Sequence, residues 1–158
     1  MSDLTHLDAE GRASMVDVSE KAETKRIAVA KGRIYMDAAT LRLIDAGDVK
    51  KGDVYTVARL SGIMAAKKTA DLIPLCHPLP IQNVQVDLES NKAENCIDIT
   101  ATASLYGRTG IEMEALTAVS VAGLAIYDMC KAVDKKMIIT DVRLVHKSGG
   151  KSGTFNAE

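Results

Sequence analysis

The chain has 158 residues, 47% of them apolar and 26% charged, with a net charge of −1. That is the length of one globular domain, and the charge balance does not favour general binding to nucleic acid or to an anionic membrane. No Trp, one Phe and four Tyr leave too few rings for a base-stacking surface. No apolar run is long enough to cross a bilayer, and the opening MSDLTHLDAEGRASMVDVSE has no apolar signal core. Cys76, Cys96 and Cys130 are odd in number and widely spaced, which argues against a disulfide scaffold or structural zinc site and for a reducing cytoplasm.

Residues 1–22 are acidic and lack periodicity, so they read as a mobile arm that a ligand or neighbour would order. The alternation in TKRIAVAKGRIYM (24–36) predicts a strand. Asp37 is placed to cap a short helix that Gly47 closes. Asp53 opens a second helix over roughly 53–69, with Val54, Val57, Ala58, Ser61, Met64 and Ala65 on one face. ADLIPLCHPLP holds all three prolines, so the chain leaves the helix at Pro74 and runs extended. IQNVQVDLE (81–89) and CIDITATASLY (96–106) alternate around the turn NKAEN and predict a hairpin. The longest helix covers 109–133, where Thr109 and Glu112 fit a capping box and Ala115, Ala118, Ala122, Gly123 and Ala125 invite close packing. KMIITDVRLVH (136–146) is the last strand, and the remainder reads as loop. The divisions are therefore an arm at 1–22, one domain at 23–148 and a flexible Gly/Lys-rich tail at 149–158. Setting aside the short first helix, the order is β-α-β-β-α-β. This is the ferredoxin-like α+β arrangement, with a four-stranded antiparallel sheet and helices on one face.

Several segments carry candidate chemistry. GGKSG ends like a phosphate-binding loop, but the required earlier Gly is Val145 and no helix can follow, so that reading fails. A solvated tail or a flexible anion cradle remains. Residues 131–151 hold six bases (Lys131, Lys135, Lys136, Arg143, Lys147, Lys151) against Asp134 and Asp141, a local excess that suits a small polyanion. Asp128 and Lys131 share a helix face and form either a surface ion pair or a proton-transfer pair, in which clustered lysines would lower each other's pKa. Lys50 and Lys51 precede a helix N-terminus. Cys76 and His77 sit between prolines, with poor spacing for a metal. Glu112 fits a cap, whereas Glu114 is free to meet a base or an amino group. The residue types alone describe a small cytosolic domain with a lysine-rich site for a phosphorylated metabolite.

Longer strings narrow this further. KGDVYTVARLSGIMAAKKTADLIPLCHPL, GRTGIEMEALTAVSVAGLAIYDMCKAV and VRLVHKSGGKSG, with the opening LTHLDAEGRASMVDVSEKAETKR, resemble the molybdenum-cofactor biosynthesis protein C family, the cyclic pyranopterin monophosphate synthases, over about residues 4–153. The resemblance implies a ferredoxin-like lyase that converts 3′,8-cyclised dihydro-GTP to cyclic pyranopterin monophosphate and diphosphate. It implies a homohexamer built as a trimer of dimers, with the site at the dimer interface. By position it implies Asp128, Lys131 and Lys51 as catalytic groups, and Leu75, Cys76, His77, Met113, Glu114, Glu112, Lys147 and Arg26 around the substrate, with the tail closing over the triphosphate. No resident metal or cofactor is implied, and Mg²⁺ on the triphosphate suits the charge. Nucleic acid and membrane are not partners. The reading it competes with is a non-catalytic nucleotide-binding regulatory module, since the fold alone does not decide activity.

Overall fold

A computed structural model describes residues 7–8 and 10–157. The first six residues and Ala9 of the expected arm, and Glu158 of the expected tail, lie outside the described residues.

Strand β1 (Thr24–Tyr35) lies at the centre of the sheet. Its even positions face inward, and Ala28, Ala30 and Ile34 are fully buried there. Strand β2 (Asn83–Asn91) and strand β3 (Cys96–Gly107) form the expected hairpin, with Val84 opposite Ala103 and Leu88 opposite Ile99. Strand β3 then runs antiparallel to β1, from Thr24 opposite Gly107 to Tyr35 opposite Cys96. Strand β4 (Ile138–Ser148) lines the other side of β1. The order β2-β3-β1-β4 is that of the expected ferredoxin-like sheet.

The sheet has five strands where the sequence predicts four. Residues Phe155–Asn156 form β5, pairing with β4 at His146–Asn156 and Lys147–Phe155. The register slips between Val29 and Ala30, which bulges Val145 off β1. The Val145 carbonyl accepts the Ala157 N–H at 2.9 Å. The tail folds back as a short hairpin, and its turn carries GGKSG.

Helix α1 (Ala38–Ala46) ends at Gly47, whose φ of 75° suits glycine in the left-handed C-cap. Asp37 does not cap α1 with its side chain. Its N–H instead donates to the buried Asp134 carboxylate, which also accepts from Thr40 Oγ1 and the Lys136 N–H. One carboxylate thus fastens the start of α1 to the segment after the long helix. Helix α2 (Val54–Ala66) is capped by Asp53 on the Thr56 N–H at 3.1 Å, as expected, and a single turn, α3 (Thr69–Leu72), follows before Pro74.

The long helix α4 (Glu112–Cys130) begins at Glu112 and has no side-chain cap, so the capping box expected from Thr109 and Glu112 is not made. The Glu112 carboxylate is drawn away by Lys147 Nζ at 2.9 Å. By length and composition α4 could cross a bilayer, but half of it is buried within the protein, as in the core helix of a globular domain. Ala115, Ala118 and Ala122 are fully buried, and α2 supplies the close partner. A Cβ on Gly62 would stand 2.9 Å from the Ala118 carbonyl oxygen, so the two helix backbones meet where neither has a bulky side chain. This contact sets α4 firmly on the sheet and fixes what its two ends present.

Candidate active site

At the N-terminal end of α4 the ends of β1, β3 and β4 enclose a cavity of about 680 Å³. Five cations line it (Lys21, Arg26, Arg108, Lys147 and Lys151), against the carboxylates of Glu20 and Glu112. Arg26 lies on the inward face of β1 and is only 9% exposed. Its guanidinium donates to the carbonyls of Gly107 (3.3 Å), Gly149 (3.2 Å) and Arg108 (3.2 Å). No carboxylate pairs with it among the described residues, so a buried positive charge is held by backbone dipoles alone. Such an arrangement favours an incoming anion.

The tail makes this possible. Gly149 and Gly150 have φ of 98° and 75°. A Cβ on Gly150 would overlap Arg26 Nη1, and one on Gly149 would overlap the Lys25 carbonyl oxygen. Only bare backbone fits against the guanidinium there. The wall also contains Thr24, whose Oγ1 is buried and has no hydrogen-bond partner among the described residues. Such a group is expected to meet a ligand or water.

A second group sits beside the start of α4. His77 Nε2 donates to the Val16 carbonyl at 2.8 Å, which fixes the proton on Nε2. Met113 is 38% exposed, whereas Glu114 is 3% exposed. Burial pushes the Glu114 carboxyl up to about 7, and the nearby Glu112 charge acts in the same direction. The Cys76 thiol is raised by burial and then by the Glu114 charge, which makes the two neighbours. Leu75, Cys76, His77, Met113 and Glu114 do not line the 680 Å³ cavity.

The third group is at the other end of α4. Lys131 Nζ approaches Asp128 Oδ1 at 2.7 Å, and Lys51 Nζ approaches Asp128 Oδ2 at 3.1 Å and the Asp128 carbonyl at 2.8 Å. Lys51, not Lys50, makes the contact. All three side chains are about half exposed. The sequence predicts that clustered lysines lower each other's pKa, but for Lys131 the adjacent carboxylate reverses this. The Asp128 hydrogen bond and charge raise Lys131, and the Lys131 and Lys51 contacts lower Asp128. Lys131 is thus held as an ammonium beside an ionised Asp128, an arrangement suited to gripping an oxyanion.

The expected residues therefore fall at the two ends of one helix. Glu112 and Asp128 are sixteen positions apart on α4, which is about 24 Å at 1.5 Å per residue. A single chain does not join them in one site. Lys21 and Arg108 were not anticipated as site residues. Their only sequence signal is a cation on each of two loops that the chain brings together.

Comparison with known proteins places the chain in a family. The model of the MoaC family matches residues 15–150. A cyclic pyranopterin monophosphate synthase of Desulforapulum autotrophicum is 60% identical over 158 residues, covering 100% of this chain and 97% of the relative. One from Dinoroseobacter shibae is 61% identical and covers 100% of both chains, and one from Thermomicrobium roseum is 56% identical over 100% of this chain and 95% of its own. On matches of this identity and extent, with the cavity and the Lys51–Asp128–Lys131 cluster carried by the matched residues, the chain belongs to the MoaC family.

Proposed function

We propose that the chain is a cyclic pyranopterin monophosphate synthase, a lyase of molybdenum cofactor biosynthesis. It converts (8S)-3′,8-cyclo-7,8-dihydroguanosine 5′-triphosphate into cyclic pyranopterin monophosphate and diphosphate. The observation that carries the substrate class is the cavity in which buried Arg26 pairs with no carboxylate among the described residues and which four further cations line. That cavity takes the triphosphate. Arg26, Lys147 and the tail with Lys151 neutralise the diphosphate as it departs, while a ribose-derived hydroxyl attacks the α-phosphorus. Glu112 orients Lys147 through their 2.9 Å contact.

Lys51, Asp128 and Lys131 move the protons needed to open and rebuild the purine-derived rings. Leu75, Cys76, His77, Met113 and Glu114 receive that part of the substrate, Glu114 as a neutral carboxyl able to donate a hydrogen bond. The separation of about 24 Å along α4 supports a site shared between two copies, one giving the phosphate cavity and its partner the lysine–aspartate cluster. We read the assembly as a homohexamer of three such dimers. The three free cysteines support a cytoplasmic setting. Any Mg²⁺ would arrive on the phosphates. The cavity's acids are Glu20 and Glu112, and Lys147 engages the second, so they do not make a cage.

The test is incubation of the purified protein with the cyclised dihydro-GTP, following diphosphate and the pterin product. Wild type is expected to yield both, and Lys51→Ala, Asp128→Ala and Lys131→Ala to yield neither while keeping their fold. Tight binding of the intact precursor without turnover by wild type would replace this reading with that of a non-catalytic binding module.

A further inference from the structure

The stretch from Met15 to Glu23 is not in regular secondary structure, yet two side chains fasten it to the domain. His77 holds the Val16 carbonyl at one end. Arg108, in the connection between β3 and α4, holds the other end. Its Nη1 donates to the Ser19 carbonyl at 2.7 Å, and its Nε lies 3.6 Å from the Glu23 carboxylate. The residues between those two contacts, Glu20, Lys21 and Ala22, form one wall of the cavity. The main chain of Arg108 serves the same cavity, since its carbonyl accepts from Arg26 Nη2.

We infer that Arg108 is a positioning residue for the anionic end of the substrate. Its guanidinium binds the arm and so keeps Lys21 in the cavity wall. Without that contact His77 is the one side chain of the domain still bonded to this stretch among the described residues, and Lys21 sits on a looser loop leading into β1. The cost of ordering the arm would then fall on each binding event and weaken it. The chemical groups that move protons are untouched, so the effect belongs in substrate affinity and not in turnover.

This inference rests on the synthase reading, and the experiment separates the two. Arg108→Ala and Arg108→Lys are compared with wild type for binding of inorganic diphosphate, for KM and kcat on the cyclised dihydro-GTP, and for tryptic cleavage after Lys21. Arg108→Ala is expected to raise both the diphosphate Kd and KM about tenfold, with kcat within about twofold, and to speed cleavage after Lys21. Arg108→Lys keeps a cation and one donor for the Ser19 carbonyl, and is expected to recover part of the affinity and of the arm's protection that Arg108→Ala loses. Weaker diphosphate binding with the arm as protected as in wild type would overturn the inference, because Arg108 would then be touching the anion itself. Unchanged affinity in Arg108→Ala, or a fall in kcat at constant KM, would overturn it as well. If wild type makes no product, the synthase reading fails, while the diphosphate and cleavage measurements still decide the role of Arg108.

Discussion

Glu114 offers a stability prediction with a clear sign. Its carboxyl is 3% exposed, and burial lifts it from 4.5 to about 7. The folded protein therefore holds that proton more tightly than the unfolded chain does. Stability falls as pH rises from about 4.5 to about 7 and then levels, because above that range the fold must bury a charge. At about 1.4 kcal/mol per pH unit, the full penalty is roughly 3 kcal/mol at pH 8 and under about 1 kcal/mol at pH 5. Glu114→Gln keeps the shape and removes the charge. Its stability relative to wild type should rise by about 2–3 kcal/mol between pH 5 and pH 8, or roughly 5–10 °C in Tm for a chain of this length. Thermal unfolding followed by circular dichroism at both pH values, at one protein concentration, measures this directly. An equal Tm difference at pH 5 and pH 8 would refute the reasoning, since Glu114 would then not titrate in that window.

Three further outcomes follow from the site. Gly150→Ala should expel the Arg26 guanidinium and raise KM about tenfold, while its positive φ makes Ala cost about 1–2 kcal/mol of stability; an unchanged KM would show that Arg26 does not face the phosphates. Arg26→Ala and Lys131→Ala, each inactive alone, should recover up to about a quarter of wild-type activity when their subunits are mixed, because a mixed dimer regains one intact composite site; no recovery after verified exchange would place both groups in one chain's site. Asp128→Asn removes the charge that raises Lys131, so the Lys131 ammonium should titrate at lower pH than in wild type, read by NMR of ¹³C-labelled lysine; an unmoved titration would mean the cluster is not formed in solution.

Much of the scaffold was legible from periodicity. The alternation in β1, β2 and β3, and the run of small residues on α4, depend on local pattern and burial, and each appears where expected. What escaped the sequence depends on partners far along the chain. Thr109 and Glu112 have the spacing of a capping box, but Lys147 lies 35 positions away and takes the carboxylate. Strand β5 has only two residues and no pattern of its own; it is seen only through its pairing with His146 and Lys147 and the Ala157 N–H bond to the Val145 carbonyl. The direction of the Lys131 shift turned on where Asp128 sits, between the two lysines and not beside one. Lys21 and Arg108 gave no periodic signal at all. By contrast, the placing of these two groups at opposite ends of one helix was already implicit in the numbering of Glu112 and Asp128.

That helix also acts as a gauge of angle. Sixteen positions at about 100° each leave Glu112 and Asp128 pointing about 160° apart around the axis as well as at opposite ends. Glycine and alanine contacts with α2 and the sheet lock that phase. A one-residue insertion within α4 would turn one cluster by about 100° relative to the other and shift it by about 1.5 Å, spoiling both sites to which the helix contributes. Substitutions along its surface leave the phase intact. Length, more than composition, is thus the property of α4 that the chemistry holds constant.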